Sequence, residues 1–349
     1  MKKIFYNIKM VLGLAVLLAV PGSCVDPLDF IADTNEGQLV VYGLLTDELG
    51  VHRVDVGRTD LFGLLPRGVT DATVVLLEEN GNSHLYGHTE EGRYELYDFQ
   101  AEQGVKYAIQ VTSGDQVYRS EFQELPKQSA EQSVDYSFFT ESEGLRTRPF
   151  LSVDATVTLP ESEEDVYLRW VLEETFLWVR LWTGGPFTPP PPNCFIYDDI
   201  DPSTLPLLTS AGTGSRNFSL NLGRRLVDDS FLYPFFVTVR QLSVSRETFE
   251  YWDRVKLVLN NQGSLFDIPP APVQGNIRNL ADADDRVLGY FEVAKVSISR
   301  VFTTSADVPF FIPNPCESSG NPPALCFECE AKAMDRRWTT VAPEWWNFN

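Results

Sequence analysis

Histidine is nearly missing from this chain. The 349 residues include three, His52, His84 and His88, all in the first quarter. No imidazole is therefore available further down for a hydrolytic triad or a His-based metal centre. No Gly-x-Ser-x-Gly elbow occurs. No Walker-type or dinucleotide loop occurs either, since Gly212-x-Gly214 lacks the third glycine and the following helix. Basic residues are scarce, 28 Lys and Arg against 49 Asp and Glu, for a net charge of −21. Such a surface does not suit phosphate contacts, which excludes a nucleic-acid binder. Beyond residue 20, no apolar run reaches the ~20 residues that a membrane-spanning helix needs. With 43% hydrophobic and 22% charged residues, the composition is that of a folded chain rather than a disordered one.

What is present begins with an address. Lys2, Lys3 and Lys9 precede an unbroken apolar stretch, Val11–Val20, and then Pro21-Gly22-Ser23-Cys24. Residues 1–23 read as a bacterial lipoprotein signal peptide, with Cys24 as the lipidated first residue of the mature chain; an ordinary secretory signal is the rival reading. Acyl chains contribute ~0.8 kcal/mol per buried CH₂, so several of them anchor a protein without any spanning helix. Removing the leader takes away three lysines and no acid, which brings −21 to −24. A body this acidic is repelled by an anionic membrane. Residues 24–37, acidic and without periodicity, suit a tether that holds it off.

The rest reads as all-β. Tyr107, Ile109 and Val111 alternate with Ala108, Gln110 and Thr112; Leu151, Val153, Ala155, Val157 and Leu159 alternate with polar residues. Asn80-Gly81 marks a hairpin. Seven short strands over residues 38–126 predict an immunoglobulin-like or prealbumin-like sandwich. Asp71-Ala72-Thr73-Val74, Gly92-Arg93-Tyr94 and Gly104-Val105-Lys106-Tyr107 within it resemble carboxypeptidase-regulatory-type modules. The polar segment 127–133 is the expected boundary. Residues 134–349 predict a larger antiparallel β-sandwich domain with one short helix. Ser245 caps that helix, Phe249, Trp252, Val255 and Leu259 recur along it, and Gly263 stops it.

Candidate site residues are few. Cys194, Cys316, Cys326 and Cys329 suit two disulfides in an exported chain. Of the three connectivities, Cys326–Cys329 with Cys194–Cys316 is favoured; half of a zinc site is the rival reading of Cys326-x-x-Cys329. Asp198, Asp199 and Asp201, like Asp282, Asp284 and Asp285, form acidic loop clusters that weakly suggest Ca²⁺. Trp178 and Trp182 would share a strand face with Phe176 and Arg180 as a binding platform, with ordinary core packing as the alternative. Trp345 and Trp346, near the end, either dock back on the body or reach a partner. Two long irregular stretches, Thr183–Asn193 with its polyproline run and Pro309–Ala324, suit either recognition or spacing. Two opposed carboxylates for glycoside hydrolysis cannot be singled out among so many acids.

Several stretches together carry a resemblance. Gly37-Gln38-Leu39-Val40-Val41-Tyr42-Gly43, the run from Gln262-Gly263-Ser264-Leu265-Phe266-Asp267 through Pro269-Pro270-Ala271-Pro272 to Gly275-Asn276-Ile277-Arg278-Asn279, Val287-Leu288-Gly289-Tyr290-Phe291, and Cys326-x-x-Cys329 resemble the domain of unknown function 4249 family. The resemblance implies a Bacteroidetes-type outer-membrane lipoprotein, often encoded beside a TonB-dependent receptor. It implies no catalytic residues and no cofactor. The segment after Cys329 departs from the family's Gly-rich ending. The expected function is a surface-exposed, non-enzymatic accessory subunit of a TonB-dependent transporter or another outer-membrane complex. The alternative is a stand-alone glycan- or peptide-binding lipoprotein.

Overall fold

Alternating residues set the strands. In the computed structural model Leu151, Val153, Ala155 and Val157 all turn inward from one strand, while Thr156 and Thr158 face out. The structure describes residues 37–59, 66–144, 146–162, 164–185, 187–260, 273–317 and 320–346. The signal peptide, Cys24 and the tether, like Gly263, lie outside the described residues.

In chain order the strands begin with β1 (Leu39–Thr46), β2 (Gly50–Arg58), β3 (Arg67–Gly68), β4 (Thr73–Glu78), β5 (Ser83–Leu85) and β6 (Gly87–His88). Next come β7 (Arg93–Phe99), β8 (Lys106–Ser113), β9 (Gln116–Ser120), β10 (Gln123–Glu124), β11 (Glu131–Glu143), β12 (Arg146–Thr158) and β13 (Tyr167–Trp178). The last are β14 (Cys194–Asp199), β15 (Leu207–Thr209), β16 (Asn217–Leu226), β17 (Phe235–Ser243), β18 (Ile277–Asn279), β19 (Leu288–Thr303) and β20 (Arg337–Thr339). Helix α1 (Arg246–Asn260) precedes β18, and a single turn, α2 (Cys329–Ala333), precedes β20. The fold is all-β, as the alternation predicts.

One long sheet runs β20-β14-β13-β17-β19-β1-β2-β7-β6, with β15 on β13 and β3 on β2. A second, β18-β9-β8-β4-β5 with β10 on β8, packs over its N-terminal half; a third, β11-β12-β16, packs over the other half. The N-terminal sandwich exists, but it does not close on itself. Its core mixes Val41, Val54, Val74 and Ile109 with Ile277, Phe291 and Val293 from the far end of the sequence. The expected division into 38–126 and 134–349 is corrected accordingly: Gln38 onward is one unit. The reason is β1. It pairs antiparallel with β2 and parallel with β19, from Val40 opposite Leu288 to Thr46 opposite Ala294. Left without β19 it would be an exposed apolar edge. That long-range pairing is the parallel one among the pairs of the described residues; those within the C-terminal region are antiparallel, as expected.

The Gly-Asn-Ile-Arg-Asn and Leu-Gly-Tyr-Phe stretches meet here. A Cβ on Gly275 would lie 1.7 Å from the Gly289 carbonyl oxygen. Gly289 itself adopts φ +93 against the Val41 carbonyl. Gly275 thus serves close backbone approach. Beside it, the Asn276 side chain donates to the Phe291 carbonyl (2.8 Å) and accepts from the Phe291 N–H (3.0 Å), replacing a strand neighbour with an amide.

The disulfides are Cys194–Cys329 and Cys316–Cys326, not the favoured pairing. Cys329 begins α2, and this turn lies under the start of β14, so it reaches Cys194 rather than its neighbour Cys326. The two bridges close loops of very different size, with partners 135 and 10 residues apart. Loop-closure entropy predicts that Cys194→Ser/Cys329→Ser costs about 5 kcal/mol and Cys316→Ser/Cys326→Ser about 3 kcal/mol in chemical denaturation.

Candidate functional site

The most deeply buried charges form a quartet. Arg169 on β13 and Glu292 on β19 are almost wholly inaccessible. The Arg169 Nε donates to Glu292 Oε2 (3.1 Å), and its Nη2 donates to Oε1 and to the Tyr42 hydroxyl (3.0 Å). Tyr42, on β1, donates to Glu292 Oε1 at 2.9 Å. From α1, the Trp252 Nε1 donates to Oε2 at 3.1 Å, and its ring lies 4.5 Å from the guanidinium. The helix is placed by its cap: the Ser245 hydroxyl accepts from the Thr248 N–H at 3.2 Å. Burial, and next the Glu292 charge, push the Tyr42 hydroxyl far above its ordinary range. Every strong donor and acceptor here has a partner, so the quartet holds elements together. Arg169→Met is expected to cost about 3–5 kcal/mol by stranding a buried carboxylate. Adding Glu292→Leu should recover part of that loss, read as a double-mutant cycle in urea.

A second cluster lies under the other half of the sheet. Glu174 is buried, and this pushes its carboxyl upward against the opposing pull of Arg225. Arg225 binds it through Nε and Nη2 and reaches Asp228 at 3.0 Å. Nearby, the Lys332 ammonium meets Asp229 at 2.7 Å and lies 4.1 Å over the Trp178 ring. These charges fasten α2 to the sheet.

An open cleft of about 400 Å³ is lined by Tyr42, Glu48, His52, Asp55, Glu173 and Arg240, among others. Its acids are occupied. Glu48 meets Arg240 (2.7 Å), Glu173 meets Arg337 (2.6 Å) and Asp55 meets Arg93 (3.3 Å). Among the described residues, no pair of opposed, unpartnered carboxylates lines this space. His52 is buried and bonded through Nε2 to the Phe99 carbonyl at 2.8 Å. Burial depresses its pKa below the usual value. The unfolded imidazole therefore takes up a proton first as pH falls, and stability declines below about pH 6.5. The unfolding midpoint should drop between pH 7 and 5.5 by more in the natural chain than in His52→Gln.

The expected platform does not form. Trp178 is buried, donating to the Leu325 carbonyl at 2.8 Å. Trp182 lies beyond the end of β13 and is 46% exposed. Strand β13 runs unbroken from Tyr167 to Trp178, and its inward face takes Phe176 and Trp178 into the core. The acids near Asp198 do not converge. Asp198 faces Arg336 at 4.0 Å, Asp199 is set beside Glu173 and Arg337, and Asp201 accepts from Ser203 at 2.8 Å. Among the described residues no group of three or more His, Cys, Asp or Glu could hold a metal ion.

Trp345 and Trp346 fold back onto the outer face of the long sheet. Trp346 packs on Phe195 (5.1 Å) and Phe236 (4.5 Å), and Phe236 stacks on Phe302 (5.2 Å). Trp345 stacks under the Arg300 guanidinium at 4.5 Å. Sequence reasoning missed both Arg300 and the quartet. The available signal was a charged residue within an apolar run, as Glu292 in Tyr290-Phe291-Glu292-Val293-Ala294.

A family model described as "Domain of unknown function (DUF4249)" matches residues 25–300. No curated protein matches. Among solved structures, trypsin-activated alpha-2-macroglobulin from Escherichia coli is 11% identical, with a TM-score of 0.21. The match covers 61% of this chain and 15% of that one. The adhesin InvE of Yersinia pseudotuberculosis is 13% identical, with a TM-score of 0.15 and coverage of 59% and 55%. At such scores neither carries an argument.

Proposed function

The chain belongs to the DUF4249 family, and from that premise we propose that it is a lipid-anchored, non-enzymatic accessory subunit of an outer-membrane complex. It is held through Cys24 at the cell surface and docks on an integral partner such as a TonB-dependent receptor. One observation carries the reading. Because β1 and β19 are parallel, and β13 runs with β19, the loops after β13 and β19 stand at the end of the sheet remote from Gln38, where the tether joins. The 16 residues of β19 alone span about 50 Å. Those loops carry Phe187 and Phe311, which are 99% and 90% exposed, and Trp182. The two disulfides cross-link the second loop and fasten it to β14. Rigidly presented aromatics of this kind are typical anchors of protein contacts. The leading segment and the acidic charge support the tethered placement. The buried ionisable groups, spent on one another, leave little for chemistry.

The test has two arms. Cells producing the protein should incorporate labelled palmitate into it, and Cys24→Ala should abolish both label and membrane retention. Gentle solubilisation should co-recover an integral outer-membrane protein, reduced at least tenfold by Phe187→Asp/Phe311→Asp. Absence of label, or of any integral partner, would overturn the corresponding half.

A further inference from the structure

The outer face of the long sheet near its remote end has an ordered cross-strand pattern. One row places Glu173, Thr238 and Arg300 side by side on β13, β17 and β19; the next places Tyr197, Thr175, Phe236 and Phe302 together. The two neighbours of Thr238 on its strand, Val237 and Val239, enter the core, so Thr238 faces outward. Helix α1 covers the sheet on one side of these rows, where Phe249 packs on Tyr167. The Pro343–Trp346 segment covers the other side.

The fit of that segment is incomplete in two respects. Thr175 and Thr238 are sealed from solvent, at 0% and 1% exposure, and neither hydroxyl has a hydrogen-bond partner. Each such omission leaves the desolvation of a hydroxyl uncompensated. Arg300 has no carboxylate within ion-pair distance among the described residues; its contact is the Trp345 ring. Burial, and next the neighbouring Arg240, lower the Arg300 pKa. The face thus satisfies aromatics while leaving Arg300 without a direct carboxylate contact, with Glu48 and Glu173 acting on it only at longer range, and two hydroxyls without partners.

We propose that this face is a docking groove for a peptide segment of a partner protein that sets a tryptophan beside a carboxylate, and that the chain's own Pro343–Trp346 segment fills it until such a partner displaces it. The partner's indole takes the place on Phe195 and Phe236 that Trp346 holds. Its carboxylate meets Arg300, and its backbone or polar side chains reach Thr175 and Thr238. This deepens the docking reading above but does not depend on the lipid anchor.

The probe is a fluorescent synthetic peptide with the sequence of residues 343–349. The full chain, purified in detergent, is compared with the same chain lacking those residues. The truncated chain should bind the peptide at least about tenfold more tightly, because the competing segment is gone. Arg300→Glu in the truncated chain should weaken binding by about tenfold. Asn347→Asp in the peptide should tighten it, and that gain should vanish with Arg300→Glu. In the unaltered chain, excess peptide should speed hydrogen exchange at the Trp346 amide, which otherwise donates to the Pro343 carbonyl at 2.9 Å. That readout stands even if truncation prevents folding, and Trp345→Ala/Trp346→Ala supplies a full-length alternative. Equal binding by intact and truncated chains, or unchanged Trp346 exchange at saturating peptide, would overturn the proposal. Palmitate labelling is unaffected by either result, so the two readings fail separately.

Discussion

A single buried carboxylate sets the terms for the whole sheet. Glu292 has no exposure, and four hydrogen bonds from three other elements neutralise and orient it. Removing a charge from water costs several kcal/mol, which is recovered only when the partners are correctly placed. Tyr42 places β1, Arg169 places β13, and Trp252 places the helix. An apolar trio of similar shape would tolerate small slips between β1 and β19. The ion pair does not, because each displaced donor would strand a buried acceptor. Register between strands far apart in sequence is thereby specified by charge rather than by fit alone.

The same economy runs through the other half of the molecule. Glu174 on β13 meets Arg225 of the β11–β12–β16 layer, and Lys332 and Arg336 bring the C-terminal turn against Trp178 and Phe176. The Cys194–Cys329 bridge lies in the same place. Charges that look in isolation like catalytic candidates are here committed to joining layers. The groups left over are at the surface: aromatics on cross-linked loops, and an arginine stacked on a ring.

Local pattern made much of this legible in the sequence. Period-two alternation located β8 and β12, Asn80-Gly81 located the β4–β5 hairpin, and Ser245 with its spaced aromatics located α1. The favoured disulfides, the Trp178 platform and the domain boundary were not legible, for one shared reason. Each depends on which strands become neighbours, and β1 beside β19 is a choice among distant segments that no window of ten residues contains. Trp178 reads as a surface platform if Thr175–Trp182 is a strand of its own, and as core once β13 carries it between two layers. The Gly275 and Gly289 stretches were visible as unusual. Their purpose, a backbone contact too close for any side chain, belongs to three dimensions.

The parallel pairing of β1 with β19 also orders events in time. A strand made early in synthesis, β1, is completed by one made nearly 250 residues later. Until then the edge of β1 that pairs with β19 has no strand partner. Contacts of such span are slow to form and leave sticky intermediates. The body can therefore mature only after most of the polypeptide has been made, and until then the long sheet stands half-built.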